Sequence, residues 1–255
     1  MPRSMTKNIL HFPEFTIVNR VVPKVAFYSH LEVNARMKSL FIENVEQIIW
    51  LYKLAPSNLH IADGKDVHEI TIFWVKLKTV ERSLEIFKFI DSYLPRHTLF
   101  ILQHEEQQGE QLMERLQLLV NYKQWKNVNI GTFDIIKTFS TEWFTRESFS
   151  YDENKKKEEK GLIRNVLINI DCSSNMDALY ESLVRHIANT QIIFSEKNLH
   201  QAVDETQKIE YIKKEMASIK KKEAKERQPQ KKFALHQQYL RLKMMLKKFS
   251  SCNIL

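Results

Sequence analysis

The stretch Val67–Lys78, VHEITIFWVKLK, is rich in isoleucine, valine, threonine, phenylalanine and tryptophan, which favour β-strands. Apolar residues occupy both alternating sets of this stretch: Ile70, Ile72 and Trp74 on one side, and Phe73, Val75 and Leu77 on the other. An edge strand, or a strand with one face exposed to solvent, would alternate apolar with polar residues. The stretch therefore predicts a central strand that is covered on both faces, which requires a sheet packed by helices.

Other strands are predicted on both sides of this central one. Pro23 interrupts a short strand near the N-terminus, within FTIVNRVVPKVAFY. The segment Gln111–Tyr122 fits either a helix or a strand, and its alternating second half favours a strand. The remaining predicted strands are His97–His104, Gly131–Phe139 and the run LIRNVLINI at 162–170.

Three helices are predicted around these strands. Apolar residues at 41, 45, 48, 49 and 52 follow one face of a long amphipathic helix that Pro56 ends. A second helix covers Val80–Leu94. The third has a complete apolar stripe from Met176 to Ala188, and Ser173, Ser174 or Asn175 can cap it. The fold class predicted for residues 1–191 is α+β, with a mixed sheet of about five to six strands packed by helices.

Residues 195–249 predict a second domain, a basic helical hairpin. Ile209, Ile212, Met216 and Ile219 follow helical spacing before the proline-containing joint Glu226–Gln230. Beyond the joint, a heptad series continues through Leu235, Gln238, Leu242, Met245 and Phe249. Two such segments on either side of one proline indicate two antiparallel helices that pack as a coiled coil.

Charge is distributed unevenly between the two predicted domains. The chain carries a net charge of +8, and Glu205–Phe249 alone has fourteen lysine and arginine residues against five aspartate and glutamate residues, a net +9. The rest of the chain therefore sums to −1. This asymmetry is typical of a segment that binds a polyanion, and also of a well-solvated helix.

Composition argues against several classes of function. The four glycines are far apart, whereas phosphate-binding loops of NTPases and dinucleotide enzymes need clustered glycines. Two cysteines and scattered histidines predict neither a disulfide framework nor a metal site, and no cofactor is predicted. The N-terminus does not resemble a signal peptide, and no apolar run is long enough to span a membrane. We expect a cytoplasmic protein without membrane contact.

The basic hairpin carries the main candidate binding site. Long cationic side chains near the joint could neutralise the phosphates of a double-stranded DNA backbone without reading its sequence. They are Lys220, Lys221, Lys222, Lys225, Arg227, Lys231 and Lys232. The alternative is an ordinary coiled coil with solvated lysines. In a third interpretation, the apolar seam binds a helix of a partner protein through Met216, Ile219, Leu242, Met244 and Met245.

Several segments together resemble a bacterial family of domains of unknown function. They are VPKVAFY (22–28), IIWLYKLAPSNLHIADGKDVHEITIFWVKL (48–77), LPRHTLFIL (94–102), NMDALYESLVRHIA (175–188) and KKFALHQQYLRLKMMLKKF (231–249). The resemblance implies a gene setting beside helicases and DNA methyltransferases, in restriction-like or anti-phage islands. It implies no catalytic residues.

That setting leads to two functional hypotheses. The first is a non-catalytic accessory or adaptor subunit of a defence complex, which docks on a larger helicase or methyltransferase subunit and contacts DNA through the hairpin. The alternative is a Mg²⁺-dependent nuclease of degenerate PD-(D/E)xK type that uses Asp63, Glu69 and Lys76. Thr71 stands where that motif needs its lysine, and Asp63 and Glu69 could equally serve a turn and an exposed strand start.

Overall fold

The structure is a computed structural model that describes residues 12–27, 35–109, 111–127, 132–145, 173–193 and 196–251. The chain divides into two compact units, Met1–Asn189 and Thr190–Leu255. Each unit is described by itself.

The described part of the first unit contains one seven-stranded sheet. Six strands lie side by side in chain order, and the short β7 pairs with β5. All neighbours are antiparallel except β3 and β4, which are parallel. The mixed sheet of the α+β prediction is thus confirmed. The strands are β1 (Ile17–Val21), β2 (Val45–Leu54), β3 (Ile70–Leu77), β4 (His97–Gln108), β5 (Gln111–Asn127), β6 (Thr132–Ser140) and β7 (Phe144–Thr145).

Helices cover both faces of this sheet. They are α1 (Ala35–Asn44), α2 (Pro56–Leu59), α3 (Ser83–Asp91) and α4 (Met176–Ala188). The helix α3 forms the crossover that two parallel strands require. It packs with α1 over a phenylalanine-rich core, in which the rings of Phe73 and Phe100 stack with their centroids 6.0 Å apart. The helix α4 contacts β5 and β6, and the Tyr180 ring packs on His97, which the strand pleat places on the other face from Phe100.

The central position of β3 is confirmed, because every residue of the strand except the half-buried Lys76 is buried. The strand prediction for Gln111–Tyr122 is also confirmed, and β5 extends farther, to Asn127. The helix predicted at Val80–Leu94 is present but shorter. The strand predicted at 162–170 lies outside the described residues.

The apolar stripe predicted for α4 is confirmed in full. All seven of its members are buried, and the Asn175 side chain caps the helix by accepting a hydrogen bond from the backbone N–H of Ala178 at 2.9 Å. The buried members are Met176, Leu179, Tyr180, Leu183, Val184, Ile187 and Ala188.

The helix predicted from Phe41 to Tyr52 is wrong beyond Asn44. The helix α1 ends there and β2 begins at Val45. The pairing of β2 with β3 shifts register twice, between Val45 and Gln47 and between Trp50 and Tyr52. Each irregularity displaces the strand's alternation, so that buried residues fall at 45, 48, 51, 52 and 54 rather than at every second position. These three- and four-residue steps imitate a helix.

The described part of the second unit is an antiparallel helical hairpin, as predicted. The helices α5 (Leu199–Lys225) and α6 (Pro229–Ser251) pack against each other and are joined by residues 226–228. The joint is two residues shorter than the predicted Glu226–Gln230, because Pro229 is the first residue of α6. Proline is well suited to that position, where its fixed φ fits the helix and no backbone N–H is needed.

Candidate nucleic-acid interface

The hairpin is held together by one apolar seam. On α5, Ile209, Ile212 and Ile219 are buried and Met216 is half-buried. On α6, the half-buried residues Leu235, Tyr239, Leu242, Leu246 and Phe249 recur at steps of four, three, four and three. This is the a/d spacing of a coiled coil.

Two residues of the predicted seam on α6 are wrong. Gln238 and Met245 are exposed, and Tyr239 and Leu246 take their places. Leu235, Leu242 and Phe249 fix one set of positions seven residues apart, but the second set can lie three or four residues after the first. Met245 and Leu246 are both apolar, so spacing within one helix did not decide between those two positions, whereas at 238 and 239 only Tyr239 has an apolar ring.

A hydrogen bond between the two helices reinforces the joint. The Nδ1 atom of His236 on α6 lies 3.1 Å from Glu223 Oε1 on α5. This contact shows which turns of the two helices face each other and places the predicted cations around the closed end of the hairpin.

All seven predicted cations at this end are exposed. Within the described part of the chain, none of them forms an ion pair with a carboxylate. They are Lys220, Lys221, Lys222, Lys225, Arg227, Lys231 and Lys232. We call this cluster the basic tip.

The basic tip has a groove on one flank of the hairpin. The groove has a volume of about 530 Å³ and is open to solvent. Three lysines line it, Lys222 and Lys225 from α5 and Lys231 from α6, while Ala234 and Leu235 contribute apolar surface. The groove thus gathers three of the seven cations from two helices on one side.

One carboxylate, that of Glu226, also lines the groove. Its Oε1 accepts a hydrogen bond from the backbone N–H of Gln228 at 2.9 Å, so that it is engaged in the turn. The side chains of the groove therefore carry a net charge of +2. Lys220 precedes Lys222 by two residues, about 200° of helix rotation, and so lies on another flank.

This arrangement suits an extended polyanion better than a small anion. Lysine ammonium groups are flexible point charges that attract phosphate oxygens without fixing a planar geometry. The open groove has no buried polar side chain that would enclose a single ion. A nucleic-acid backbone offers repeated phosphates to such a surface, and each neutralised phosphate releases condensed counterions.

The predicted partner-binding residues do not form one exposed surface. Ile219 is buried, Met216 and Leu242 are half-buried in the seam, and Met244 and Met245 are exposed. A partner could reach the first three only if the hairpin opened. Their role in partner binding stays a prediction.

The three residues of the nuclease alternative lie in separate contacts. Asp63 Oδ1 is 3.0 Å from His68 Nδ1, and this hydrogen bond holds the pKa of the Asp63 carboxyl below its ordinary value. Glu69 lies between Lys53 at 2.9 Å and Arg96 at 2.5 Å.

Lys76, the third residue of that alternative, is paired at the opposite end of β3. Its Nζ lies 3.3 Å from a carboxylate oxygen of Glu46 and 3.3 Å from one of Glu105. Seven residues of extended chain separate it from Glu69, a distance of about 23 Å. The structure thus brings neither Asp63 nor Glu69 to Lys76.

A buried polar cluster was not predicted from the sequence. Lys123 on β5 and Asp91 on α3 form an ion pair of 2.6 Å whose side chains are both 0% exposed. Asn121 and Tyr180 extend the cluster through hydrogen bonds. A lysine within a strand gives no sign of burial in a single sequence, because most lysines are exposed.

The described ranges contain neither a metal-binding cluster nor a membrane-spanning helix. No cluster of three or more histidine, cysteine, aspartate or glutamate side chains is arranged to hold a metal ion. None of the described helices combines the length and the apolar content needed to cross a bilayer.

The chain matches the model of a protein family. The profile of the family described as "Domain of unknown function (DUF4391)" matches residues 10–247, which cover most of both units. Searches of curated proteins and of solved structures found no match.

Proposed function

The chain belongs to the DUF4391 family, and from that premise we propose that it is an accessory subunit of a bacterial anti-phage or restriction-like complex. In this proposal the first unit docks on a larger helicase or DNA methyltransferase subunit. The basic tip of the hairpin contacts the backbone of double-stranded DNA.

The observation that supports DNA contact is the groove of the basic tip. Three lysines from two helices line one open surface, and no described carboxylate forms an ion pair with them. A lysine in a surface ion pair would have to exchange that partner for a phosphate. Unpaired lysines on one flank can contact phosphates at once, and the resulting affinity depends on salt but not on base sequence.

Duplex DNA is favoured over single strands by the scarcity of aromatic side chains at the groove. Proteins that bind single strands commonly stack successive bases on aromatic rings. The side chains that line this groove include no aromatic residue. Backbone contact therefore accounts for the expected binding without base stacking.

The proposed docking on a helicase or methyltransferase subunit derives from the gene setting that the family resemblance implies. Co-purification of the tagged chain with its neighbouring gene products tests it. We expect a helicase or methyltransferase subunit in stoichiometric amount. Recovery of the tagged chain alone, from cells that contain those products, would contradict the docking part.

The nuclease remains the alternative proposal, and no contact among the described residues favours it over the accessory role. A plasmid-cleavage assay with Mg²⁺ separates the two. If the chain is a nuclease, it cleaves the plasmid and Glu69→Ala abolishes that cleavage. If it is an accessory subunit, we expect no cleavage that depends on Glu69.

DNA contact is tested by charge reversal at the groove. We expect the triple variant Lys222→Glu, Lys225→Glu and Lys231→Glu to bind a 30-base-pair duplex at least about 100-fold more weakly at low salt, since three phosphate contacts become repulsive. Fluorescence anisotropy measures the affinity, and circular dichroism verifies that the hairpin remains helical.

A matched variant controls for net charge. Lys208, Lys213 and Lys214 are also exposed on α5 but lie away from the joint. Their reversal to glutamate changes the total charge by the same amount, and we expect an effect at least tenfold smaller. Equal losses in the two triple variants would show that net charge, and not the basic tip, determines binding.

A further inference from the structure

The helix α6 has a second apolar face that the hairpin does not use. Phe233 and Met244 are 65% and 64% exposed, and Leu240 is half-buried. At about 100° per residue, the three side chains fall within about 40° of one another around the helix. Leu242, in the seam, lies about 180° from Phe233. These three residues, which we call the outer stripe, therefore lie on the side of α6 away from the seam.

Cations border the outer stripe on both sides. Lys243 and Lys247 follow one edge, and Arg241 and Lys248 follow the other, and all four are exposed. Between Pro229 and Ser251 the sequence contains six lysine and arginine residues and no aspartate or glutamate. The stripe is thus a narrow apolar line, broken by Gln237 between Phe233 and Leu240, on a helix whose charged side chains are all basic.

The width of the stripe distinguishes among possible occupants. A helix that lies on a bilayer needs a broad apolar face, whereas an apolar line this narrow matches the seam between two helices. The DNA backbone offers no apolar surface on which the three large apolar side chains of the stripe could pack. A second copy of α6 would bring the same positive charges together. A single partner helix with an apolar stripe between acidic flanks would match both the apolar line and the cations that border it.

We propose that the outer stripe is the docking site for an acidic amphipathic helix of a partner protein. The partner's apolar residues pack on Phe233, Leu240 and Met244, and its flanking carboxylates pair with Arg241, Lys243 and Lys248. Phe233 and Met244 are eleven residues apart, about 16 Å along the helix, so the partner helix spans at least three turns. The inference rests on the accessory role of the proposed function, adds a contact on the hairpin to the docking assigned there to the first unit, and is independent of DNA contact.

The probe for this site is a synthetic helical peptide of 18 residues. It has leucine along one stripe, glutamate on both flanks and alanine elsewhere, with a fluorescent label. A second peptide replaces every glutamate with lysine. We expect the full-length protein to bind the acidic peptide saturably and not to bind the basic one.

Two adjacent methionines provide a matched pair of variants. Met244 lies in the stripe, while Met245 is 53% exposed but about 100° away around the helix. We expect Met244→Glu to weaken binding of the acidic peptide at least about tenfold and Met245→Glu less than about twofold. The two substitutions introduce the same charge on the same helix, so only position differs between them.

Three results would overturn the proposal: no saturable binding of the acidic peptide, equal effects of the two substitutions, or stripe-dependent binding to vesicles of phosphatidylserine and phosphatidylcholine. DNA affinity is measured on the same proteins. DNA binding without peptide binding would refute the outer stripe as a docking site but not the DNA contact of the basic tip. Peptide binding without DNA binding would refute only the DNA contact.

Discussion

Lys123 and Asp91 show at the scale of single residues how the first unit fixes one helix on its sheet. The Lys123 ammonium contacts the Asp91 carboxylate at 2.6 Å and donates hydrogen bonds to the backbone carbonyls of Leu94 and Arg96. Asn121 donates to the other carboxylate oxygen at 2.8 Å. Two buried charges are tolerated because each has several partners. Removal of one charge leaves the other buried without a counter-charge.

We expect Lys123→Met to lower the free energy of unfolding by about 3–5 kcal/mol, because Asp91 would remain buried without its counter-charge. The double variant with Asp91→Leu should recover most of that loss. Urea unfolding measures both. Lys126→Met is the control, since its pair with Asp134 is 3.4 Å long and exposed, and should cost less than about 1 kcal/mol. A double variant as unstable as the single one would contradict this account.

His97 makes the stability of the first unit depend on pH. Its ring packs between Phe133 and Tyr180, and burial lowers the pKa of the imidazole to about 3, with a further contribution from Lys123. The unfolded chain, with a histidine pKa of about 6.5, binds a proton that the folded chain excludes. The stabilising contribution is therefore complete above pH 6.5 and is lost as the pH falls from 6.5 toward 3.

We expect the wild-type protein to lose about 2 kcal/mol more unfolding free energy between pH 7 and pH 5 than the His97→Gln variant does. Urea unfolding at the two pH values measures the difference. Parallel pH profiles of the two proteins would show that His97 binds a proton as readily in the folded as in the unfolded chain, which would contradict the lowered pKa.

At the scale of elements, α4 and β2 differ in how well the sequence predicts them. The stripe of α4 is regular because one continuous helix packs on the sheet, so residue spacing alone predicted all of its buried positions. The strand β2 contains two irregularities that pairing with β3 imposes. The residues of β2 favour a strand. Which of them are buried depends on the pairing with β3, and the local sequence pattern contains no information about that pairing.

The loop before β3 is attached to α4 through one side chain. The Asp177 carboxylate accepts hydrogen bonds from the backbone N–H groups of Lys65, Asp66 and Val67, at 2.6, 3.1 and 2.8 Å. Gly64 permits the close approach, because an added Cβ would lie 2.4 Å from the Val67 carbonyl oxygen and 2.5 Å from Asp177 Oδ1. The Asp63–Gly64 turn thus positions the loop on the helix.

We expect Asp177→Ala to cost about 2 kcal/mol of unfolding free energy, because three backbone donors lose a charged acceptor at a partly solvated site. Glu181→Ala on the same helix removes a half-exposed ion pair with Arg185 and serves as the control, with less than about 1 kcal/mol expected. Equal costs would show that the loop does not depend on Asp177.

At the scale of the whole molecule, the two proposed binding surfaces of the hairpin differ in charge and in apolar character. The groove lysines lie on one flank near the joint, and the outer stripe of α6 lies on the face opposite the seam. Composition predicted the charge, but it could not divide the seven cations among flanks. That division depends on how α5 pairs with α6. On α6 the predicted seam positions 238 and 245 are each one residue away from the observed positions 239 and 246.

The most direct test of the central claim is the salt dependence of DNA binding. The logarithm of the association constant, plotted against the logarithm of salt concentration, falls with a slope of about 0.9 per phosphate contact. For the variant in which Lys222, Lys225 and Lys231 are replaced by alanine, the basic tip predicts a slope shallower than wild type by about 2.7. An unchanged slope would contradict the claim that these lysines contact the DNA backbone.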